Sequence, residues 1–504
     1  MVKSTDCMQP KTDSVALLEA VDDQLATPTP KKIGFVSLGC PKNLVDSEVM
    51  MGLLSQGGAE ITARAEDADI IVVNTCSFID SAKQESVDTI LEMAQHKLAG
   101  RAQKLIVAGC LVERYRNEIQ KNIPEVDAVV GTGELQKILN AAGIEPPRQQ
   151  GGTSPFVILS GRSEGDAREA AGRFSKAAWD GAISDLPNYL YDENTPRVLA
   201  TPKYSAYIKI AEGCDHPCAF CIIPQLRGKF RSRRFESVIA EAQRLARQGV
   251  REVTLIGQDT TCYGEDFGLK DGLGLLLERL AQIEELRWVR FLYAYPNKIT
   301  GKLLDTIAAH EKICSYIDVP LQHAAPDVLK RMKRGAGADI FLRSIEKMRR
   351  QISGLTLRTS FIVGFPGETE QDFEQLCQFV REAQFDWLGV FGYSDEDGAK
   401  AFALGDKIPS KEIERRRRKL MSLQKQVSRK KKRALIGQQF DLLLEGPSAE
   451  TDLLWEGRTA MHAPEIDGTV YVNDFGDHEG AREGEFYRCE ITEAHDYDLV
   501  ARIL

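Results

Sequence analysis

At 504 residues, with 43% hydrophobic content and a net charge of −9, the chain is long enough for about two to four globular domains. It contains no run of about 18 or more apolar residues and Met1 to Lys31 is polar, which predicts neither a membrane span nor a secretory signal; the acidic balance argues against a protein that chiefly coats nucleic acid. A cytoplasmic protein is therefore expected, and in a large unsecreted chain the eleven cysteines, an odd number, are better read as metal ligands and spare buried thiols than as a disulfide framework.

Residues 1–30 read as a disordered tail. From 31 to 142, short β-rich runs (Ile33–Leu38, Ile70–Thr75, Leu105–Ala108, Ala128–Val130) alternate with amphipathic stretches, the pattern of an open α/β domain with a parallel sheet. Cys40, Cys76 and Cys110 each directly follow one of these strands. Parallel α/β sheets bind ligands at the carboxyl edge of their strands, so the three thiols are expected to converge on one mouth and hold a cluster. The competing expectation is three buried core cysteines.

Between 143 and 202 the composition shifts to Gly, Ser, Arg, Glu and Pro with little periodicity, as expected of a linker or insertion that is at least partly disordered. Trp179, Tyr189 and Tyr191 are candidates to dock part of it onto a neighbouring domain.

From 203 to 410 the βα rhythm resumes, with candidate strands at Ala206–Ala211, Glu252–Gly257, Trp288–Tyr293, Ser315–Val319, Thr356–Val363 and Leu388–Gly392. Six consecutive βα units suggest a barrel or partial barrel. After its first strand comes Cys214-Asp215-His216-Pro217-Cys218-Ala219-Phe220-Cys221. Three thiolates at this spacing can hold three corners of a 4Fe–4S cluster and leave one iron open to a cofactor or substrate. The alternative is a structural zinc knot, for which His216 is the local candidate as fourth ligand. Cys262 faces the expected mouth but has no partner spacing, and Cys314, Cys377 and Cys489 are simplest as core thiols.

Residues 411–436 form a linking helix carrying Arg415-Arg416-Arg417-Arg418-Lys419 and Arg429-Lys430-Lys431-Lys432-Arg433. Such runs suit RNA, but on a linking helix a solvated face is the expectation. From 437 to 504, alternating runs (Phe440–Leu444, Thr469–Val472, Phe486–Ile491, Leu499–Ile503) predict a small β-barrel. This segment has sixteen Asp and Glu against four Arg and no Lys, a net −12, and should prefer a basic partner.

The Cys214 motif opening a six-unit βα series resembles the radical S-adenosylmethionine enzymes. Three dispersed cysteines before it and a TRAM-like β-barrel after it are similar to the methylthiotransferase family of that superfamily. Within the family, Ser37-Leu38-Gly39-Cys40-Pro41-Lys42-Asn43-Leu44-Val45-Asp46-Ser47-Glu48 resembles the RimO-type branch, which modifies an aspartate of small-subunit ribosomal protein twelve. Lys209-Ile210-Ala211-Glu212-Gly213-Cys214, Arg227-Gly228 and Ala463-Pro464-Glu465-Ile466-Asp467-Gly468 agree with the same branch. The resemblance implies two 4Fe–4S clusters. One, on Cys214, Cys218 and Cys221, would bind S-adenosylmethionine and generate a radical at an otherwise unreactive carbon; the other, on Cys40, Cys76 and Cys110, would present sulfur. It implies a methylthio group on the β-carbon of the aspartate and an external electron donor. A TRAM-like barrel is a module often associated with RNA, but the net −12 of this one departs from what phosphate binding requires, suits a Lys- and Arg-rich ribosomal protein and makes tRNA an unlikely partner.

Gln258, Gln322, Arg358, Ser360, Gly364 and Gly367 lie where a βα barrel builds its site and are candidate contacts for S-adenosylmethionine: the glycines for close backbone approach, Arg358 for the carboxylate. Each could instead be ordinary turn or packing chemistry, and His323 is expected to be structural. Two other readings stand beside this one. A tRNA adenosine methylthiotransferase would share fold, clusters and reaction, whereas a non-catalytic iron–sulfur carrier would have no use for the barrel.

Overall fold

The computed structural model describes residues 30–145, 187, 189–449, 451, 453–478 and 480–504. The expected tail and most of the expected linker, with Trp179, lie outside the described residues.

Five parallel strands open the chain: β1 (Lys32–Ser37), β2 (Glu60–Thr62), β3 (Ile70–Thr75), β4 (Lys104–Gly109) and β5 (Ala128–Val130), in the order β2-β1-β3-β4-β5. All six residues of β3 are buried, as its unbroken aliphatic run requires of a strand covered on both faces. Helices α1 (Pro41–Gln56), α2 (Asp80–Leu98) and α3 (Cys110–Asn122) leave the carboxyl ends of β1, β3 and β4. The edge strand β2 escaped the sequence pattern because three half-exposed residues carry no periodicity.

The barrel begins with β6 (Ser205–Lys209). A short antiparallel hairpin follows, β7 (Ala211–Glu212) with β8 (Arg231–Ser232), and the cysteine motif is the loop between its strands. The sequence reading ran β6 on through Ala211, but the chain turns at Ile210. Then come β9 (Glu252–Ile256), β10 (Trp288–Phe291), β11 (Tyr316–Asp318), β12 (Thr356–Val363) and β13 (Trp387–Gly392). They form two parallel sheets, β10-β9-β6 and β11-β12-β13, joined through a bridge between Val289 and Ile313. Phe361 on β12 packs edge-on against Phe379 and Phe385, which fixes its alternate neighbours Arg358, Ser360 and Ile362 on the other face.

The Ser410–Arg433 helix runs beside β13. Its charge run is not merely solvated: Arg415 pairs with Glu370, Arg416 with Glu368, Lys419 with Glu374 and Lys431 with Asp386, while Lys432 is buried over the Trp387 ring. Beyond it, β14 (Gln439–Pro447), β15 (Trp455–Thr459), β16 (Val470–Asp474), β17 (Phe486–Ala494) and β18 (Leu499–Ile503) close a barrel in the order β14-β15-β16-β18-β17. β15 went unread because Glu456, Gly457 and Arg458 interrupt its pattern.

Buried charges join the three parts. At the end of the expected linker, Arg197 pairs with Glu48 of α1 at 2.5 Å and with Glu241 of a barrel helix at 2.7 Å, and Val198 N donates to the Glu48 carbonyl. Tyr191 is buried beneath the Arg233 guanidinium, as its docking role anticipated. Arg458 of the small barrel reaches Glu252 on β9 at 2.8 Å, where Arg290 of β10 also binds at 3.1 Å.

Candidate functional site

Three strand ends of the first sheet deliver Cys40, Cys76 and Cys110. Cys40 caps α1 without a side-chain hydrogen bond, Cys76 follows β3, and Cys110 is the first residue of α3. Gly39, at φ +88°, lets Cys76 approach: a Cβ there would stand 2.7 Å from the Cβ of Cys76. Burial raises the Cys110 thiol to about 12 and raises Cys76 as well. At Cys40 burial is outweighed by the Lys42 ammonium and the Arg227 guanidinium, which hold that thiol below its ordinary value.

Arg227 comes from the barrel side. Its Nη2 donates to Asn43 Oδ1 at 2.7 Å and lies 3.6 Å from the Cys110 sulfur, while its Nη1 pairs with Asp46 at 2.9 Å and Glu212 at 3.1 Å. Lys209 pairs with the same two carboxylates. Lys42 Nζ sits 3.4 Å from the centre of the Tyr293 ring and donates to the Gly257 carbonyl at the end of β9. Two residues beyond Glu212 lies Cys214, so one buried network runs from the first cysteine triplet to the start of the second.

In the second triplet, Cys214 N donates to the Gly228 carbonyl, Ala219 N to the Met332 carbonyl, and Ile223 N to the Cys221 sulfur at 3.4 Å. Burial pushes Cys214 up to about 11 and Cys221 up to about 12. His216, the candidate fourth zinc ligand, is engaged elsewhere. Its ring stacks on Tyr295 at 3.8 Å and its Nε2 lies 2.6 Å from Asp259 Oδ2. Cys262 donates to the same Asp259 carboxylate at 3.0 Å.

Among the described residues, the one set of three His, Cys, Asp or Glu ligand atoms within 4.8 Å of one another is His216, Asp259 and Cys262. Neither cysteine triplet therefore has the sulfur spacing of roughly 3.8 Å that one tetrahedral zinc with Zn–S of about 2.3 Å would impose. Each offers three thiols and an N–H donor within hydrogen-bonding range of one sulfur, a donor set that fits an iron–sulfur cluster with one open iron.

Around the barrel mouth, Gln258 Nε2 donates to Glu212 at 2.6 Å, while its buried Oε1 has no hydrogen-bond partner. Gln322 holds a left-handed φ of 72° and exchanges backbone hydrogen bonds with Ser360 and Ile362. Arg358 pairs with Asp318 at 2.9 Å and with Asp467 of the small barrel at 3.5 Å, so its charge is already matched. Gly364 and Gly367 are left-handed turn residues: a Cβ at Gly364 would collide with Ile413, and the Gly367 carbonyl accepts from Arg331. His323 is fully buried and its Nδ1 accepts from Ala325 N. Arg334, Tyr295 and Asp259, which the structure brings against the second triplet, carried no signal in spacing.

Residues 32–131 match the model of an uncharacterised family designated UPF0004, residues 208–380 the radical SAM superfamily and residues 436–504 the TRAM domain. A ribosomal protein uS12 methylthiotransferase RimO from Koribacter versatilis is 78% identical over 488 residues, covering 94% of this chain and 97% of its own. Its counterpart from Solibacter usitatus is 58% identical over 475 residues, 94% of this chain and 95% of its own. A solved radical S-adenosylmethionine methyltransferase, TsrM from Kitasatospora setae, aligns over 72% of each chain at 16% identity and a TM-score of 0.48.

Proposed function

The chain belongs to the RimO family of ribosomal protein uS12 methylthiotransferases, and from that membership we propose that it places a methylthio group on the β-carbon of an aspartate in that ribosomal protein. It is a radical S-adenosylmethionine enzyme whose cofactors are 4Fe–4S clusters and S-adenosylmethionine, which together supply a radical for an unactivated C–H bond and the sulfur that replaces the hydrogen. Cys214, Cys218 and Cys221 hold the cluster that receives S-adenosylmethionine, and Cys40, Cys76 and Cys110 hold the other. The observation that supports this reading is the network through Arg227, which touches Cys110 and is paired with Glu212, two residues before Cys214, so that one buried network links the first triplet to the chain that enters the second.

The remaining residues bind and exclude water. Gln258, Gln322 and Ser360 would contact S-adenosylmethionine at the mouth, where the unpartnered Gln258 Oε1 could accept a hydrogen bond from it. Arg358, Gly364 and Gly367 act one step back, Arg358 fixing the small barrel through Asp467 and the glycines shaping the turn after β12. The domains divide at 31–142, 203–410, 411–436 and 437–504. The acidity of the last segment supports capture of a Lys- and Arg-rich ribosomal protein in the cytoplasm, not of tRNA, and the electron comes from an external donor.

The test is mass spectrometry of uS12 after incubation with the anaerobically reconstituted protein, S-adenosylmethionine and a reductant. A methylthiolated aspartate is expected. Unmodified uS12 alongside a thiolated tRNA would move the substrate to the adenosine branch, and failure to cleave S-adenosylmethionine would leave only an iron–sulfur carrier.

A further inference from the structure

Each cysteine triplet has one arginine against a ligand sulfur, and the two arginines are differently furnished. Arg227 stands 3.6 Å from Cys110 Sγ, but its charge is matched by Asp46 and Glu212. Arg334 Nη1 stands at the same 3.6 Å from Cys218 Sγ, within hydrogen-bonding range for sulfur. Among the described residues, no Asp or Glu lies within ion-pairing distance of Arg334. Its Nη2 donates to the Pro320 carbonyl at 2.5 Å, which fixes the fork without neutralising it.

The guanidinium is also aimed from its face. It lies 4.4 Å from the centre of the Tyr295 ring, whose stacking partner at 3.8 Å and 8° is His216, inside the cysteine loop. Asp259 holds His216 Nε2 and also accepts from Thr261, whose hydroxyl accepts from Tyr295 N. The pillar Arg334–Tyr295–His216 is therefore held at His216 and Tyr295 through Asp259 and Thr261 and at Arg334 through the Pro320 carbonyl, and its outer member is a half-buried cation that, among the described residues, has no carboxylate partner.

We propose that Arg334 sets the reduction potential of the cluster held by Cys214, Cys218 and Cys221, as a fixed positive charge hydrogen-bonded to the Cys218 sulfur. A cluster taking one electron from an external low-potential reductant gains one negative charge. A cation 3.6 Å from a ligand sulfur favours the reduced form, and an N–H donor to that sulfur does the same by drawing density off the ligand. Arg334 is a positioning and tuning residue: it touches the ligand, not the substrate. The inference rests on the assignment of this cluster to these cysteines.

The experiment is a spectroscopically monitored reductive titration with dithionite. It is run on the full chain with both clusters, and on a full chain in which Cys40, Cys76 and Cys110 are alanine so that one cluster reports. Arg334→Met keeps the apolar stem and removes the charge. Its one-electron reduction equilibrium is expected to fall at least tenfold, which is about 59 mV more negative. Arg334→Lys, which keeps the charge but loses the fork, should fall between Met and the native residue, and Tyr295→Leu should shift the potential in the same direction through loss of aim. The iron content of Arg334→Lys is expected to match the native chain. An unchanged potential in both Arg334 variants at full iron content overturns the proposal, as does an equal shift in both clusters. Failure of the native chain to assemble a cluster on Cys214, Cys218 and Cys221 would instead overturn the assignment beneath it.

Discussion

Asp46 of α1 and Arg227 of the barrel meet at 2.9 Å across the seam between the first two domains, each no more than 3% exposed. Lys209 and Glu212 complete a buried square of two cations and two anions. Removing one corner leaves an uncompensated buried charge, at a cost of about 3–5 kcal/mol. Asp46→Asn is expected to lower the thermal transition of the full chain and loosen the iron on the Cys40 side. Asp46→Asn combined with Lys209→Met should recover part of the loss, and calorimetry of the cycle reads the coupling.

The two cysteine triplets should separate by assay. Cys76→Ala is expected to lose about half of the bound iron and all methylthio product while still cleaving S-adenosylmethionine under reduction. Cys214→Ala should lose cleavage and product together. Iron analysis and chromatographic detection of the cleavage product distinguish them, and equal loss of cleavage in both variants would contradict the division of labour.

Glu252 carries the docking of the small barrel. Burial raises its pKa, but Arg458 and Arg290 outweigh burial and hold the carboxyl below its ordinary value of 4.5. A depressed carboxylate contributes its full stability above that ordinary value and loses it as pH falls through the lower, folded-state value. Interdomain docking is therefore expected to weaken on acidification below 4.5. Glu252→Gln should imitate this at neutral pH by about 3–5 kcal/mol, read as a lowered transition and as protease access near Arg458.

Gly364 distinguishes a turn from a cofactor contact. Gly364→Ala must place a Cβ at φ +78° and against Ile413, with the left-handed backbone alone costing about 1–2 kcal/mol. Ile413→Ala in the same chain should relieve the collision and restore part of the stability. If Gly364→Ala instead leaves stability intact and weakens binding of S-adenosylmethionine alone, the glycine belongs to the cofactor.

Much of this was legible because it is local. The strands of the first sheet announce themselves as aliphatic runs, and β3 was read to its boundaries. The Cys214 motif is eight residues long, and Cys40, Cys76 and Cys110 follow from the rule that parallel strands present ligands at their carboxyl ends. What escaped depends on distant pairs. Arg358 could be placed on its strand, but nothing in the strand says that Asp318 and Asp467 will match its charge. Arg334 lies 116 residues from Cys218 and meets it only because the barrel turns one loop over another. The basic helix read as solvated because its partners, Glu368, Glu370, Glu374 and Asp386, belong to other elements.

The salt bridges of Arg197 bear on how the chain tolerates change. From within the last residues of the expected linker it ties Glu48 to Glu241, and Lys209 and Arg227 repeat the tie deeper in. The distance between the two sets of thiols is thus a property of packed surfaces rather than of the length of chain between them. The contacts that hold the two sets of thiols at their separation are made by Arg197, Lys209 and Arg227 with Glu48, Glu241, Asp46 and Glu212, all of them on either side of residues 145–189 of the chain that joins the domains.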